Sequence, residues 1–400
     1  MQTLRKSDPG KTKMTENPAF LTEQLITYIG NKRALLPFIA RGVEIVRSEL
    51  GKEKLSCLDL FSGSGIVSRF FKQFSNYIAA NDMESYSCII NRCYLSNQDD
   101  IPAARLALLH ENLVRVLTEK LAAFELERAA GKQPPSPGFI SRLYSPKDEM
   151  NIQKQDRCFY TAYNAACLDY ARQLIEKEVP ADLRHFFIAP LLSEASIHAN
   201  TAGIFKGFYK NSRTGIGQFG GNGKDALSRI LGKIELKKPV FSNFSCSFRV
   251  FNSNANELVC REELYENGIY DLAYFDPPYN QHPYGSNYFM LNLLAEYKSP
   301  DEEKISRVSG IPRDWNRSAY NKKRQVSDAF FNLVKNVRAR YVLVSFNSEG
   351  FIPKDEMIEL LSRTGQVRVL ESKYNAFRGS RNLSARDIHV KEYLFLVKKN

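Results

Sequence analysis

Short apolar runs of strand length alternate with helical patterns along most of this chain, and that alternation constrains its fold more than any other feature. Candidate strands cover 56–60, 77–80, 247–251, 271–275 and 341–346. Two more, 367–374 and 390–397, have no crossover-length helical pattern between them and are expected to pair antiparallel. The expectation is an α/β fold with a sheet of seven strands and one antiparallel pair at the end. A chain of 400 residues that is 43% hydrophobic can bury a core of that size.

The alternation stops between about 95 and 239. There, helical stretches at 102–129, 153–178 and 183–195 flank a Pro-rich loop at 133–138, and the block reads as an inserted, mainly helical domain. It ends in a glycine-rich segment carrying Lys206, Lys210, Arg213, Lys224 and Arg229. The remainder divides into 19–94 and 240–400, forming one unit, and a polar stretch, 1–18, expected to be a loose arm. From Lys32 to about Leu50 a helical pattern places Leu35, Leu36, Ile39, Val43 and Val46 on one face, starting at a turn around Gly30.

The 56 Lys and Arg against 44 Asp and Glu leave a formal charge of +12, a field that attracts polyanions. Seven cysteines without a CxxC pair and five histidines without ligand spacing give no expectation of a metal site. No stretch has the makeup of a secretory signal or reaches the roughly 18 apolar residues of a spanning helix. The expectation is a cytoplasmic protein with reduced thiols and no membrane partner.

Three loops carry candidate chemistry. DLFSGSG, residues 59–65, ends the first strand, where Asp59, Leu60, Phe61, Gly63 and Gly65 can let a ligand approach the backbone closely. It is not the GxGxxG of dinucleotide folds, because Ser68 stands where the third glycine would fall. The second strand ends at Asp82, placed to accept from a ribose diol, or simply to cap the next helix. DLAYFDPPY, residues 271–279, closes an apolar strand with Asp276, Pro277, Pro278 and Tyr279. Both prolines fix φ, so the Asp276 carboxylate and the Pro277 carbonyl form a rigid acceptor pair. Two acceptors suit the two protons of an adenine amino group, whose lone pair they would localise for attack on a sulfonium methyl group; Tyr279 offers a face for an extruded base. The bland alternative for DPPY is a tight turn. Third, TYIGNK, residues 27–32, opens a helix with Tyr28, Gly30, Asn31 and Lys32, a place where a carboxylate can bind.

Taken in order, these stretches resemble the alpha group of DNA amino-methyltransferases, the Dam-like adenine-N6 enzymes that include many restriction-modification methylases. The family's YxGxK corresponds to Tyr28, Gly30 and Lys32, its FxGxG to Phe61, Gly63 and Gly65, and its DPPY to Asp276 through Tyr279. The resemblance implies a Rossmann-like methyltransferase sheet binding S-adenosyl-L-methionine over its strand ends, with a DNA-recognising insert between the second and third strands. It implies that Asp82 holds the ribose, and that Lys32, Asp59 and Phe61 surround the methionine part and the cofactor ring. Asn254 stands where the family often has an Asp beside the cofactor adenine.

After the catalytic loop, Tyr284, Asn287 and Tyr288 are candidates to close over a flipped base, whereas Phe289, Leu291, Leu293 and Leu294 read as core. His282 reads as a local hydrogen-bonding residue. Phosphate contacts are expected from Lys206, Lys210, Arg213, Lys224 and Arg229, from Arg313, Arg317, Lys322 and Lys323, and from Arg378 and Arg381, interleaved with Tyr209, Trp315 and Tyr320. The implied partner is double-stranded DNA, with a cognate restriction endonuclease acting on the same site without a stable complex. The competing readings are an amino-methyltransferase acting on cytosine N4, RNA or protein, and a DNA-binding relative without catalysis.

Overall fold

The computed structural model describes residues 15–221, 223, 226–375 and 389–400. Seven strands form one sheet: β1 (Leu55–Asp59), β2 (Ser75–Asp82), β3 (Ser247–Asn252), β4 (Tyr270–Phe275), β5 (Ala339–Asn347), β6 (Gly365–Asn375) and β7 (His389–Lys399). Their spatial order is β3-β2-β1-β4-β5-β7-β6. The first five run parallel, and β7 lies antiparallel between β5 and β6. This is the expected sheet, with the last hairpin tucked in so that β7 meets β5.

The inner strands are apolar on both sides because helices cover both faces. Leu55, Cys57, Leu272, Tyr274, Leu343 and Leu394 pack under the helix Leu36–Leu50. Leu58, Ala273, Phe275, Val344 and Phe395 pack on the other side against Phe330 and Leu333 of the helix Val326–Asn336. Burying one such side chain contributes roughly 1.5–3 kcal/mol.

The strand order reverses between β1 and β4, whose ends align through Asp59 opposite Tyr274. A crevice opens outside the carboxyl ends of strands at such a switch point. The loop after β1 and the loop after β4 therefore lie side by side.

The block after 95 is helical, as expected, with differences at its joints. The helix Ala103–Ala129 buries Leu113, Leu117, Leu121 and Phe124, a stripe at helical spacing, and leaves most of its other residues to solvent. The helix expected from 153 starts only at Ala162, because the Thr161 side chain caps it by accepting from Asn164 N. A short helix, Phe139–Tyr144, follows the Pro-rich loop and was not expected; buried Asp169 accepts from Ile140 N and Ser141 N at its start. These helices share one apolar cluster with the helices Ser85–Leu95 and Phe289–Glu296, which carries them on the sheet unit. Of the stretch read as a loose arm, 1–14 lie outside the described residues. Glu16 is tied down, accepting from Ser242 Oγ at 2.7 Å and Asn243 N at 2.9 Å.

Candidate active site

A cavity of about 410 Å³ occupies the switch point, a size that suits a small-molecule cofactor. Its lining draws on all three loops singled out in the sequence: Tyr28, Gly30, Asn31 and Lys32; Asp59, Leu60, Phe61 and Gly63; Asp82; Asn254; and Asp276 with Pro278. Gly65 lies just behind the wall, at the start of the helix Ile66–Phe71. Pro277 and Tyr279 stand beside the cavity rather than in its lining.

Each loop is shaped by its own residues. The DLFSGSG turn folds back because Gly63 adopts φ +51°, and a Cβ there would come within 2.8 Å of the Tyr28 ring. Asp82 stitches the turn in place, accepting from Gly63 N at 2.7 Å and from Glu84 N at 2.9 Å. It thus serves as loop brace and helix entry together, and each oxygen keeps a second lone pair for a ligand. Tyr28 stacks on Tyr284 and Tyr288, and Tyr284 Oη donates to Ile29 O at 2.9 Å. The N-terminal loop is thereby clamped to the segment that follows DPPY.

Asp59 is fully buried. Its Oδ2 accepts from Ser68 Oγ at 2.6 Å, while Oδ1 has no hydrogen-bond partner among the described residues. Burial, assisted by the charges of Asp276 and Asp82, pushes its pKa up to about 7. Burial likewise raises Asp82 to about 6 and Glu84 to about 7. An orphaned carboxylate oxygen in a dry wall calls for a cation or a proton.

At the end of β4, Lys32 Nζ lies 2.9 Å from Asp276 Oδ1, and the lysine is only 3% exposed. Lys32 is thus the partner of Asp276 Oδ1, which has no other donor among the described residues. Burial opposes the Lys32 ammonium, yet Asp276, Tyr279 and Glu392 hold its pKa well above the ordinary value. Burial raises Asp276 despite that lysine. The sequence suggested Lys32 as a contact for a cofactor carboxylate; it lines the cavity and is there the counter-ion of Asp276. Its ammonium also sits 5.4 Å from the Tyr279 ring centre, and Tyr279 packs edge-on against Phe346.

Several expected residues take other roles. Asn287 and Tyr288 are buried in the packing beneath the loop and cannot close over a base; of that trio only Tyr284 faces the cavity. Tyr320 is 3% exposed and meets Phe61 edge-on at 5.1 Å, so it is a cavity wall rather than a nucleic-acid surface. Arg229 is an internal clamp, donating to the carbonyls of Ile197, Ala199 and Thr201. The Asn254 side chain caps its own helix by accepting from Asn256 N. His282 is exposed; its backbone N donates to Asn280 Oδ1 and its carbonyl accepts from Asn321 Nδ2. Lys206, Arg213, Arg313, Arg317, Lys322 and Lys323 are exposed, and Lys210 reaches Val308 O at 2.9 Å. Lys224, Arg378 and Arg381 lie outside the described residues. Not found from sequence were Glu84, Gly285, Asn316 and Asp328, which line the cavity from segments distant in the chain. Only Glu84, two residues after Asp82, carried any local signal.

The sequence profile described as D12 class N6 adenine-specific DNA methyltransferase matches residues 28–360, from the N-terminal tyrosine through all three loops. The chain belongs to this family. It is a methyltransferase acting on DNA, and the use of S-adenosylmethionine is general among such enzymes. The match meets the expected resemblance to Dam-like enzymes. The chain is also 29% identical over 381 residues to the Type II methyltransferase M.NlaIII of Neisseria lactamica, covering 94% of this chain and 99% of that protein. It is 28% identical over 383 residues to the Type II methyltransferase M.CviAII of Paramecium bursaria Chlorella virus 1, covering 93% and 98%. Against the Type II methyltransferase M.FokI of Planomicrobium okeanokoites it is 26% identical over 384 residues, 93% of this chain but 52% of that longer protein. Among the described residues no helix is long and apolar enough to cross a membrane, and no three or more His, Cys, Asp or Glu side chains are grouped to hold a metal ion.

Proposed function

We propose that this cavity holds S-adenosylmethionine and that Asp276, Pro277, Pro278 and Tyr279 present a flipped-out adenine of duplex DNA to it. The observation that carries the proposal is the pair of carboxylates on adjacent strand ends facing one crevice, Asp59 with an unpartnered Oδ1 and Asp276 with Lys32 as its charge partner. Asp59 Oδ1 suits the ammonium of an amino-acid-like cofactor, Asp82 a ribose diol, and Phe61 with Asn254 the edge and face of a base. Tyr28, Gly30, Asn31, Leu60, Gly63 and Gly65 shape the wall between them. When bound, the cofactor supplies an electrophilic methyl group on a positively charged sulfur.

The chain's own part is acceptor placement. Asp276 Oδ1 and the Pro277 carbonyl, held by two prolines in series, would receive the two amino protons and turn the nitrogen lone pair toward the crevice. Tyr279 would stack on the base, its far side braced by Phe346. Duplex DNA would lie across Lys206, Lys210 and Arg213 of block 95–239, the recognition insert of this reading, and across Arg313, Arg317, Lys322 and Lys323 of the 240–400 part. A restriction endonuclease sharing the target sequence is the expected counterpart, acting without a stable complex, and the chain would work in the cytoplasm.

Tritiated S-adenosylmethionine offered with duplex DNA, RNA and protein should label the duplex; label confined to RNA or protein would overturn the proposal. DNA affinity should fall steeply as salt is raised, by about 10³ or more between 50 and 200 mM for six or more phosphate contacts. A flat salt response in a binding titration would remove the basic residues from the interface. Cofactor affinity should also depend on pH, because a protonated Asp59 cannot pair with an ammonium. With the Asp59 pKa raised to about 7 in the empty site, affinity should weaken as pH falls below about 7, approaching tenfold per pH unit. Titration calorimetry on either side of neutrality checks this, and tighter binding at the acid side would contradict it.

A further inference from the structure

Glu392 of β7 has no part in the chemistry described so far. It is 5% exposed, and its Oε2 has no hydrogen-bond partner among the described residues. Its register places it beside the active loop: Glu392 pairs with Asn347 at the end of β5, and β5 runs next to β4, which ends just before Asp276. Side chains alternate along a strand, so Glu392 shares its face with Leu394 and Leu396, and Asp276 shares its face with Leu272 and Tyr274; all four apolar residues lie on the side covered by Leu36–Leu50. Lys32 opens toward that same side, just ahead of the helix. Groups acting on this cluster are Lys32 and Asp276 on Glu392 itself, Tyr274 and Tyr279 on Lys32, Glu349 on Tyr279, and Asp59 beyond Tyr274.

We infer that Glu392 is a positioning residue for methyl transfer, the second counter-charge of Lys32, which keeps that ammonium balanced when Asp276 changes charge. The inference rests on Asp276 being the acceptor of the adenine amino protons. In the transfer, the N6–methyl bond forms and the sulfur–methyl bond breaks, its electron pair staying on sulfur to leave a thioether. The amino nitrogen then carries one proton too many, and Asp276 takes it to become a neutral acid. Lys32 would be left as an uncompensated buried cation, a costly state. With ionised Glu392 behind it, the cluster passes from two anions and one cation to one of each. Burial pushes Glu392 up to about 7, so its ionised fraction changes across neutral pH.

The test is kcat against pH, with both substrates saturating, for the wild type, Glu392→Gln, Glu392→Asp and Asp276→Asn. The wild type should lose turnover below about pH 7. Glu392→Gln should be slowed about 10-fold or more with this limb gone, Glu392→Asp should recover part of the rate, and dissociation constants for cofactor and duplex should change less than about threefold. Wild-type kcat that stays flat through neutrality would overturn the inference whatever the variants do, as would Glu392→Gln turning over like the wild type. If Asp276→Asn remains fully active, the assignment of Asp276 fails, which is a separate result.

Discussion

Replacing Asp276 by alanine should lower methyl transfer by a factor of about 10²–10³, the range for removing one preorganised hydrogen-bonding group from an active site, and leave duplex binding within about threefold. The amino nitrogen has little nucleophilicity of its own, and Asp276 is the carboxylate of the DPPY loop, with Lys32 as its only partner among the described residues. DNA affinity should survive, since the lysines and arginines assigned to phosphates are exposed, Lys210 in part, and Asp276 pairs with Lys32 rather than with any of them. One secondary effect is expected. Lys32 loses its 2.9 Å partner and is left with the more distant Glu392 as its counter-charge, a weaker pairing for a buried ammonium, so a lower melting temperature should accompany the loss. Asp276→Asn leaves an oxygen acceptor in place, so it separates the lost charge from the lost acceptor. Single-turnover rates with filter binding measure both quantities, and an alanine variant that still methylates at the wild-type rate would remove Asp276 from the chemistry.

The second large effect is expected at Gly63. An alanine there must hold φ near +51°, at a cost of about 1–2 kcal/mol. Its Cβ would also meet the Tyr28 ring at 2.8 Å, and Tyr28 is wedged in a stack with Tyr284 and Tyr288 that cannot retreat easily. The loop must therefore shift, breaking the Gly63 N to Asp82 bond and displacing the wall of the cavity. Cofactor affinity should fall by about 100-fold, equivalent to about 3 kcal/mol. Gly51 provides the control: its φ is +62°, but nothing lies within 4 Å of a Cβ there. Gly51→Ala should cost about 1–2 kcal/mol of stability and leave cofactor affinity unchanged. Equal affinity losses in the two variants would mean that strain alone, and not the Tyr28 contact, sets the requirement at Gly63.

Much of the sheet could be read from the sequence because buried parallel strands are short, apolar and punctuated. All seven strands appear where expected, and the pairing of 367–374 with 390–397 followed from the missing crossover. That β7 inserts between β5 and β6 did not follow, since strand order depends on which edges meet in space. The helix expected from 153 was misread because 153–160 holds polar residues at spacings that a helix or a loop accommodates equally, and Thr161 decides the start through its cap.

The site divides in the same way. Residues on strand-end loops were found because glycines, prolines and carboxylates there have few structural uses. Partners brought in by folding were not, as with the pairing of Lys32 to Asp276 or the clamp made by Arg229. Cationic residues were the least readable. Arg229 and Arg313 look alike in sequence, yet one donates to three carbonyls inside the fold and the other is exposed. Glu392 did carry a signal, a charge at a position whose strand neighbours of the same face are Leu394 and Leu396; only the register showed what lay opposite.

Delivery of a methyl group from this cavity to adenine N6 through Asp276 is read out by sequencing, with detection of modified bases, DNA from cells that express the wild-type chain or Asp276→Ala. N6-methyladenine should appear at one recurring sequence with the wild type and be absent with the variant. N4-methylcytosine at that sequence, or N6-methyladenine persisting in the variant, would contradict it.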